Sequence, residues 1–147
     1  MAAVLETNGL TKKYGKLTAV NNLNLTIEEG TIYGLLGPNG SGKTTTLGMV
    51  LSVLNASAGS YRWFGEEPTA NSMKKVGAVL ETPNFYPYMS GLDNLKVVAG
   101  IKGVPHDNIN EVLEVTGLYN RRTSSFRTYS LGMKQRLALA ATLLGDT

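Results

Sequence analysis

The sequence predicts an α/β chain with a β-rich N-terminal part, a glycine-rich loop set between a strand and a helix, and a helical C-terminal part. Three observations predict it. Leu23, Leu25 and Ile27 alternate with Asn24, Thr26 and Glu28, the period-two pattern of a half-buried strand. The apolar run Ile32-Tyr33-Gly34-Leu35-Leu36 leads into a glycine-rich stretch, after which Leu47, Val50, Leu51 and Leu54 recur at helical spacing. From Ser90 onward the pattern turns helical, with Ile109, Val112 and Leu113 on one face.

The elements follow in order. The first 36 residues read as β-structure, with a turn at Glu29-Gly30 and a buried strand over residues 32–36. A helix follows the glycine-rich stretch. Ala58-Gly59-Ser60 breaks the pattern, and Tyr61-Arg62-Trp63-Phe64 reads as an edge-like strand, with Trp63 a packing residue. Val76-Gly77-Ala78-Val79-Leu80 reads as a second short buried strand, with Glu81 at its C-terminal end. Ser90 followed by Asp93 resembles a capping box with Asp in place of Glu, opening a helix over residues 91–101. Gly103-Val104-Pro105 ends it, a helix over 106–115 runs toward Gly117, and a last helix covers 131–144. His106, beside Pro105 and Asp107, is read as an exposed helix-start residue without chemistry. The expected division is residues 1–89, β part plus loop core, and residues 90–147, a helical subdomain.

Composition narrows the function classes. The 147 residues have room for one ordinary domain with a sizeable core. Net charge is +3 with Lys and Arg scattered rather than clustered, so no direct nucleic-acid partner is expected. The absence of cysteine excludes disulfide scaffolds and thiolate metal sites. Residues 1–10 lack the apolar core of a secretory signal, and no apolar stretch approaches bilayer-spanning length. The expectation is a cytoplasmic chain that reaches a membrane only through a partner.

Gly37-Pro38-Asn39-Gly40-Ser41-Gly42-Lys43-Thr44 fits G-x-x-x-x-G-K-[ST], a phosphate-binding loop. Glycines let consecutive N–H groups face one anion and put no side chain between backbone and phosphate. Lys43 can place an ammonium against the β- and γ-phosphates, and the Thr44 hydroxyl can ligate Mg²⁺. A helix starting there adds its positive N-terminal end. Tyr14, in Lys12-Lys13-Tyr14-Gly15, offers a ring able to stack on a purine. Ser130 and Gly132, in Tyr129-Ser130-Leu131-Gly132-Met133, offer a hydroxyl and exposed N–H groups at another helix start. Alone that is an ordinary N-cap; beside a phosphate loop it reads as a second phosphate-facing site.

With these motifs in this order, the chain resembles the ATP-binding subunit of an ABC transporter over essentially its whole length, a fold of the P-loop NTPase type. The resemblance implies ATP and Mg²⁺ as cofactors. It assigns Tyr14 to adenine stacking, and Asn39, Gly40, Ser41, Gly42, Lys43, Thr44 and Thr45 to the phosphate loop (Walker A). Ser130 and Gly132 fall to the signature motif, and Thr44 and Glu81 to the metal. Leu131 and Met133 depart from the usual signature, and Glu81 stands where the family usually has Gln. Glu81, Phe85-Tyr86-Pro87 and the signature together resemble the bacitracin- and lantibiotic-type branch, which exports or confers immunity to antimicrobial peptides. The resemblance implies a head-to-tail homodimer in which Ser130 and Gly132 close on the partner's γ-phosphate. It also implies a transmembrane permease subunit that meets residues 81–89, and a place on the inner face of the cell membrane.

The family's Walker B pair would follow Leu144. Asp146 lacks an apolar strand before it, so no catalytic carboxylate is expected within residues 1–147. ATP binding without appreciable hydrolysis is therefore expected of this chain, with hydrolysis in a full-length parent. With the C-terminal half of the core not represented, either reduced stability or self-association at an open sheet edge is expected. The competing expectation is a non-transport ABC ATPase acting on nucleic acid or the ribosome. An unrelated P-loop kinase or GTPase is disfavoured, because no Asn-Lys-x-Asp run specifies guanine.

Overall fold

The computed structural model describes residues 2–80 and 84–145, which divide into two compact units, 1–73 and 74–147. In the first unit, β1 (Ala3–Tyr14) and β2 (Leu17–Glu28) form an antiparallel hairpin, and β3 (Ala58–Trp63) pairs antiparallel with the other edge of β1. The two-residue turn of the hairpin needs φ > 0 at its first central position, which Gly15 supplies at +57°. The expected alternation holds in β2, where Leu23, Leu25 and Ile27 turn inward and Asn24, Thr26 and Glu28 outward. Helix α1 (Lys43–Val50) adds Met49 and Val50 to a core with Leu5, Leu10 and Val20. Trp63 packs on that core and its indole N–H donates to the Val50 carbonyl at 2.7 Å, tying β3 to the end of α1. It is a packing residue.

Two local expectations are corrected here. β3 begins at Ala58, so Ala58-Gly59-Ser60 lies within the strand. Gly59, at φ +81°, passes so close to the Gly9 carbonyl that a Cβ would collide with it, and the β1–β3 register shifts between Asn8 and Thr11. The glycine read as a breaker is what lets the strands approach. On α1, Leu47 is exposed, and the buried face is Thr46, Gly48, Met49 and Val50, with Leu54 folded over Gly48.

The largest correction concerns residues 32–36, which form no strand. Ile32 and Leu36 are fully exposed, at 103% and 92%. A run apolar on both faces suits a parallel strand buried between layers with neighbours on both sides. No strand pairing among the described residues involves this run, so its backbone has no ladder to join. Residues 76–80 likewise form no strand. They lie against α5 (Leu131–Thr142), so close at Gly77 that a Cβ would stand 2.7 Å from the Thr142 carbonyl oxygen.

The second unit is helical. After the short α2 (Ala70–Lys74), α3 (Gly91–Lys102), α4 (Ile109–Val115) and α5 pack around Leu95, Ala99, Leu113, Leu118, Phe126 and Leu137. The Ser90 cap forms as expected: its hydroxyl accepts from the Asp93 N–H at 3.0 Å. The hydroxyl in turn donates to the Asp93 carboxylate at 2.8 Å, so the pair closes side chain to side chain. α4 begins three residues later than expected, at Ile109, because residues 106–108 form a bend and turn after Pro105; α5 ends two residues early, at Thr142. Lys102 donates to the carbonyls of Ala141 and Leu144, at 3.0 and 3.3 Å, and burial pushes its ammonium below the usual lysine range.

Candidate functional site

Residues 37–44 close a turn in which the Ser41 N–H donates to the Pro38 carbonyl at 3.2 Å. Gly40 and Gly42 take φ of +80° and +92°, left-handed values that favour glycine. Gly42 is the N-cap of α1, and no side chain caps the helix. At Gly42 a Cβ would collide with the Ala19 carbonyl of β2, so loop and hairpin are packed together. At Gly40 a Cβ would meet nothing within 4 Å, which leaves the tip of the loop open. Gly37 makes room for Ser41, whose hydroxyl lies 2.6 Å from where a Cβ would be.

The Lys43 ammonium folds back over the loop, donating to the carbonyls of Gly37 and Pro38 at 2.6 and 2.7 Å and to the Ser41 hydroxyl at 3.3 Å. The first turn of α1 holds no acidic residue, and its leading N–H groups have no intrahelical acceptor. A rim of N–H groups and one ammonium, with no carboxylate, fits a polyphosphate and suits neither a bare cation nor a neutral ligand. Thr44 and Thr45 follow on the same turn, and their hydroxyl oxygens are of the hard kind that Mg²⁺ takes.

Tyr14 stands at the end of β1, half exposed, with the Lys12 ammonium 5.2 Å from its ring centroid. Glu81 lies outside the described residues, as do Thr82 and Pro83. Among the described residues no group of His, Cys, Asp and Glu gathers as a metal site.

In the second unit Ser130 is the N-cap of α5, its hydroxyl accepting from the Met133 N–H at 3.2 Å; Gly132 lies in the exposed first turn. The preceding Tyr129 is buried, and its phenol donates to the Arg121 carbonyl at 2.7 Å; burial raises its pKa above the usual 10.0, so it stays neutral. Gly91 is required beside it, because a Cβ there would collide with that phenol oxygen. Arg136, one turn into α5, donates to the carbonyls of Thr116 and Gly117, both at 3.3 Å, tying α5 to the end of α4. Of the aromatics expected at a partner surface, Tyr86 and Tyr88 are exposed with ring centroids 5.9 Å apart. Phe85 instead turns inward onto Phe126 at 5.3 Å.

Sequence reasoning missed Asn94, which is buried at 1% exposure and bonded to the loop before α3. Its only sequence signal is an amide where the helical pattern of α3 turns inward. Among the described residues, no helix is long and apolar enough to cross a membrane.

In sequence and in fold the chain is similar to known proteins. An Enterococcus faecalis protein named bacitracin transport ATP-binding protein BcrA is 44% identical over 99% of this chain, which covers 49% of the relative. A Streptococcus pyogenes protein named lantibiotic transport ATP-binding protein SrtF is 38% identical over 97% of the chain, covering 62% of that relative. The chain spans about half the length of the BcrA relative, at 49%. In fold, it is similar to cbiO1 of Clostridium perfringens, described as part of the ABC transporter complex cbiONQ, with a TM-score of 0.83, 22% identity and coverage of 97% and 62%. A structure described as the ATP binding subunit of an ABC transporter matches with a TM-score of 0.82, 22% identity and coverage of 94% and 60%. Residues 20–147 match the family described as ABC transporter, and the chain belongs to that family.

Proposed function

We propose that this chain is part of an ATP-binding subunit whose full-length form hydrolyses ATP to drive export of a small molecule or antimicrobial peptide through a separate membrane permease. The observation that carries it is the carboxylate-free loop opening α1, with Gly40 and Gly42 left-handed and the Lys43 ammonium folded back on the loop. The names of the relatives, which concern bacitracin and lantibiotic transport, support the substrate class.

The roles follow from chemistry at each position. N–H groups of Gly40, Ser41, Gly42, Lys43, Thr44 and Thr45 hold the β- and γ-phosphates, with Asn39 at the mouth of the loop. Lys43 exchanges its contacts with the Gly37 and Pro38 carbonyls for phosphate oxygens, which costs little because both carbonyls can turn to water. Tyr14 stacks on adenine. Thr44 and Glu81 are the residues that would hold Mg²⁺, which would supply positive charge to neutralise the phosphates. Residues 1–89 thus carry the nucleotide-side groups, and residues 90–147 carry Ser130 and Gly132, which face the nucleotide of a second, head-to-tail copy. The first turn of α1 carries no acidic residue, and we assign appreciable turnover to the full-length form, with ATP binding the role of this chain. Tyr86 and Tyr88 are the groups to meet the permease at the inner membrane face.

Calorimetric titration with Mg-ATP tests the binding role, with no saturable heat as the contradicting result. Turnover by residues 1–147 at the rate of the complete cassette would contradict the missing-carboxylate reading. Co-purification of the full-length protein separates the partner classes: a membrane permease supports transport, and RNA or ribosomes support the nucleic-acid alternative.

A further inference from the structure

Residues 84–90 form neither helix nor strand, so their backbone polar groups need partners from elsewhere. Asn94, in α3, supplies them. Its Oδ1 accepts from the Tyr86 N–H at 2.8 Å, and its Nδ2 donates to the Tyr86 carbonyl at 3.1 Å and the Ser90 carbonyl at 3.0 Å. The Met89 carbonyl lies 3.4 Å from the same nitrogen. One side-chain amide thus pairs both ways with one residue, as a neighbouring strand would. A carboxylate lacks the donors for this and a hydrocarbon lacks both.

The other edge of the loop is bonded to the segment that leads into α5. The Phe126 N–H donates to the Met89 carbonyl and the Arg127 N–H to the Pro87 carbonyl, both at 2.9 Å. The Ser125 hydroxyl also donates to the Pro87 carbonyl, at 2.7 Å. Three residues beyond Arg127 stands Ser130, the cap of α5. The loop is therefore a strip with Asn94 on one side and the approach to Ser130 on the other.

We propose that Asn94 is a positioning residue for Ser130: by locking residues 84–90 it fixes residues 125–129, so that loop and helix start move as one body. The proposal rests on the reading of Ser130 as a phosphate-facing group. It gives the exposed Tyr86–Tyr88 pair a mechanical route to that serine. A buried asparagine that merely satisfies its own amide would leave the far edge of the loop unaffected when removed.

Amide hydrogen exchange on this chain tests the link. Asn94→Ala is expected to speed exchange at least about tenfold at the Tyr86, Phe126, Arg127 and Met133 amides. The amides of Thr116 and Leu118, bonded within and after α4, serve as controls and are expected to stay unchanged. A rise at Tyr86 alone, or a uniform rise that includes the controls, overturns the proposal. Ser125→Ala, at a half-buried position, cuts the far edge without opening the core, and is expected to speed exchange at Arg127 and Met133 by about threefold. No change there also overturns it.

In the complete cassette, Asn94→Ala is expected to lower kcat about tenfold with KM for ATP within about twofold. Combined with Ser130→Ala it is expected to be no worse than Ser130→Ala alone. Losses that multiply would overturn positioning while leaving Ser130 its role. A Ser130→Ala variant of normal kcat would instead sink the reading of Ser130, whatever the exchange data show.

Discussion

The two helix starts singled out in this chain, α1 at Gly42 and α5 at Ser130, solve the same problem differently. Both leave the first N–H groups of a helix without intrahelical acceptors. At α5 a hydroxyl fills part of the gap, accepting from Met133. At α1 the cap residue has no side chain, and no side-chain bond caps the helix. A glycine cap costs only a few tenths of a kcal/mol relative to a good side-chain cap, so the α1 start stands open at little cost. The α1 start leaves its first N–H groups open to a ligand, and the α5 start is complete in itself. Under the proposed roles, Ser130 would surrender or share its bond to Met133 to meet a phosphate, whereas the α1 loop would give up only solvent-facing lysine contacts.

The largest expected effect breaks the α1 side. Lys43→Ala removes charge-assisted contacts worth roughly 1.5–3 kcal/mol, so ATP affinity by calorimetry is expected to fall about tenfold to over a hundredfold. Unchanged affinity would remove Lys43 from the site. Next comes Gly42→Ala, which forces a left-handed residue and a clash with the Ala19 carbonyl. It is expected to destabilise the first unit by about 1–3 kcal/mol, read as a lower midpoint in denaturant followed through Trp63, the single tryptophan. A midpoint equal to that of the parent chain would show that the loop relaxes freely.

Ser130→Ala sharpens the other side. It is expected to cost about 1 kcal/mol through the lost cap, and Ser130→Gly only a few tenths. ATP binding to this chain is expected to be unaffected by either, and a parallel loss of affinity would contradict the division between the two starts.

The smallest effect lies at Ser90, the self-contained cap of α3. The hydrogen bond from Ser90, and then that from Lys96, hold the Asp93 carboxyl below its ordinary 3.8. Asp93 therefore contributes stability that is fully present above pH 3.8 and lost as pH falls through its lower folded value. The pair with Lys96 is half exposed, so the contribution is well under about 1 kcal/mol. Titration of the Asp93 carboxyl by NMR with a midpoint at or above 3.8 would contradict it.

What could be read from the sequence depended on how local its cause was. The β2 alternation, the Ser90 cap and the left-handed glycines before α1 each depend on residues a few positions apart, and each formed. Residues 32–36 and 76–80 did not become strands, because an apolar run records which faces want burial and says nothing about whether neighbouring strands supply hydrogen bonds. Leu47 fell outside the buried face of α1 because a single helical stripe fits several rotations, and packing on Gly48 and Met49 chose one. Ser130 was legible as a cap, since Ser before a helix is a local signal. Asn94 was not legible: its partners are loop carbonyls four to eight residues away, set by tertiary packing.

The most direct test of the contrast between the two starts is a backbone-amide NMR titration of this chain with Mg-ATP. Shifts concentrated at Gly40, Ser41, Gly42, Lys43, Thr44 and Thr45, with Met133 and its neighbours in α5 unmoved, are the expected result. Shifts at the start of α5 with the α1 loop silent would contradict it.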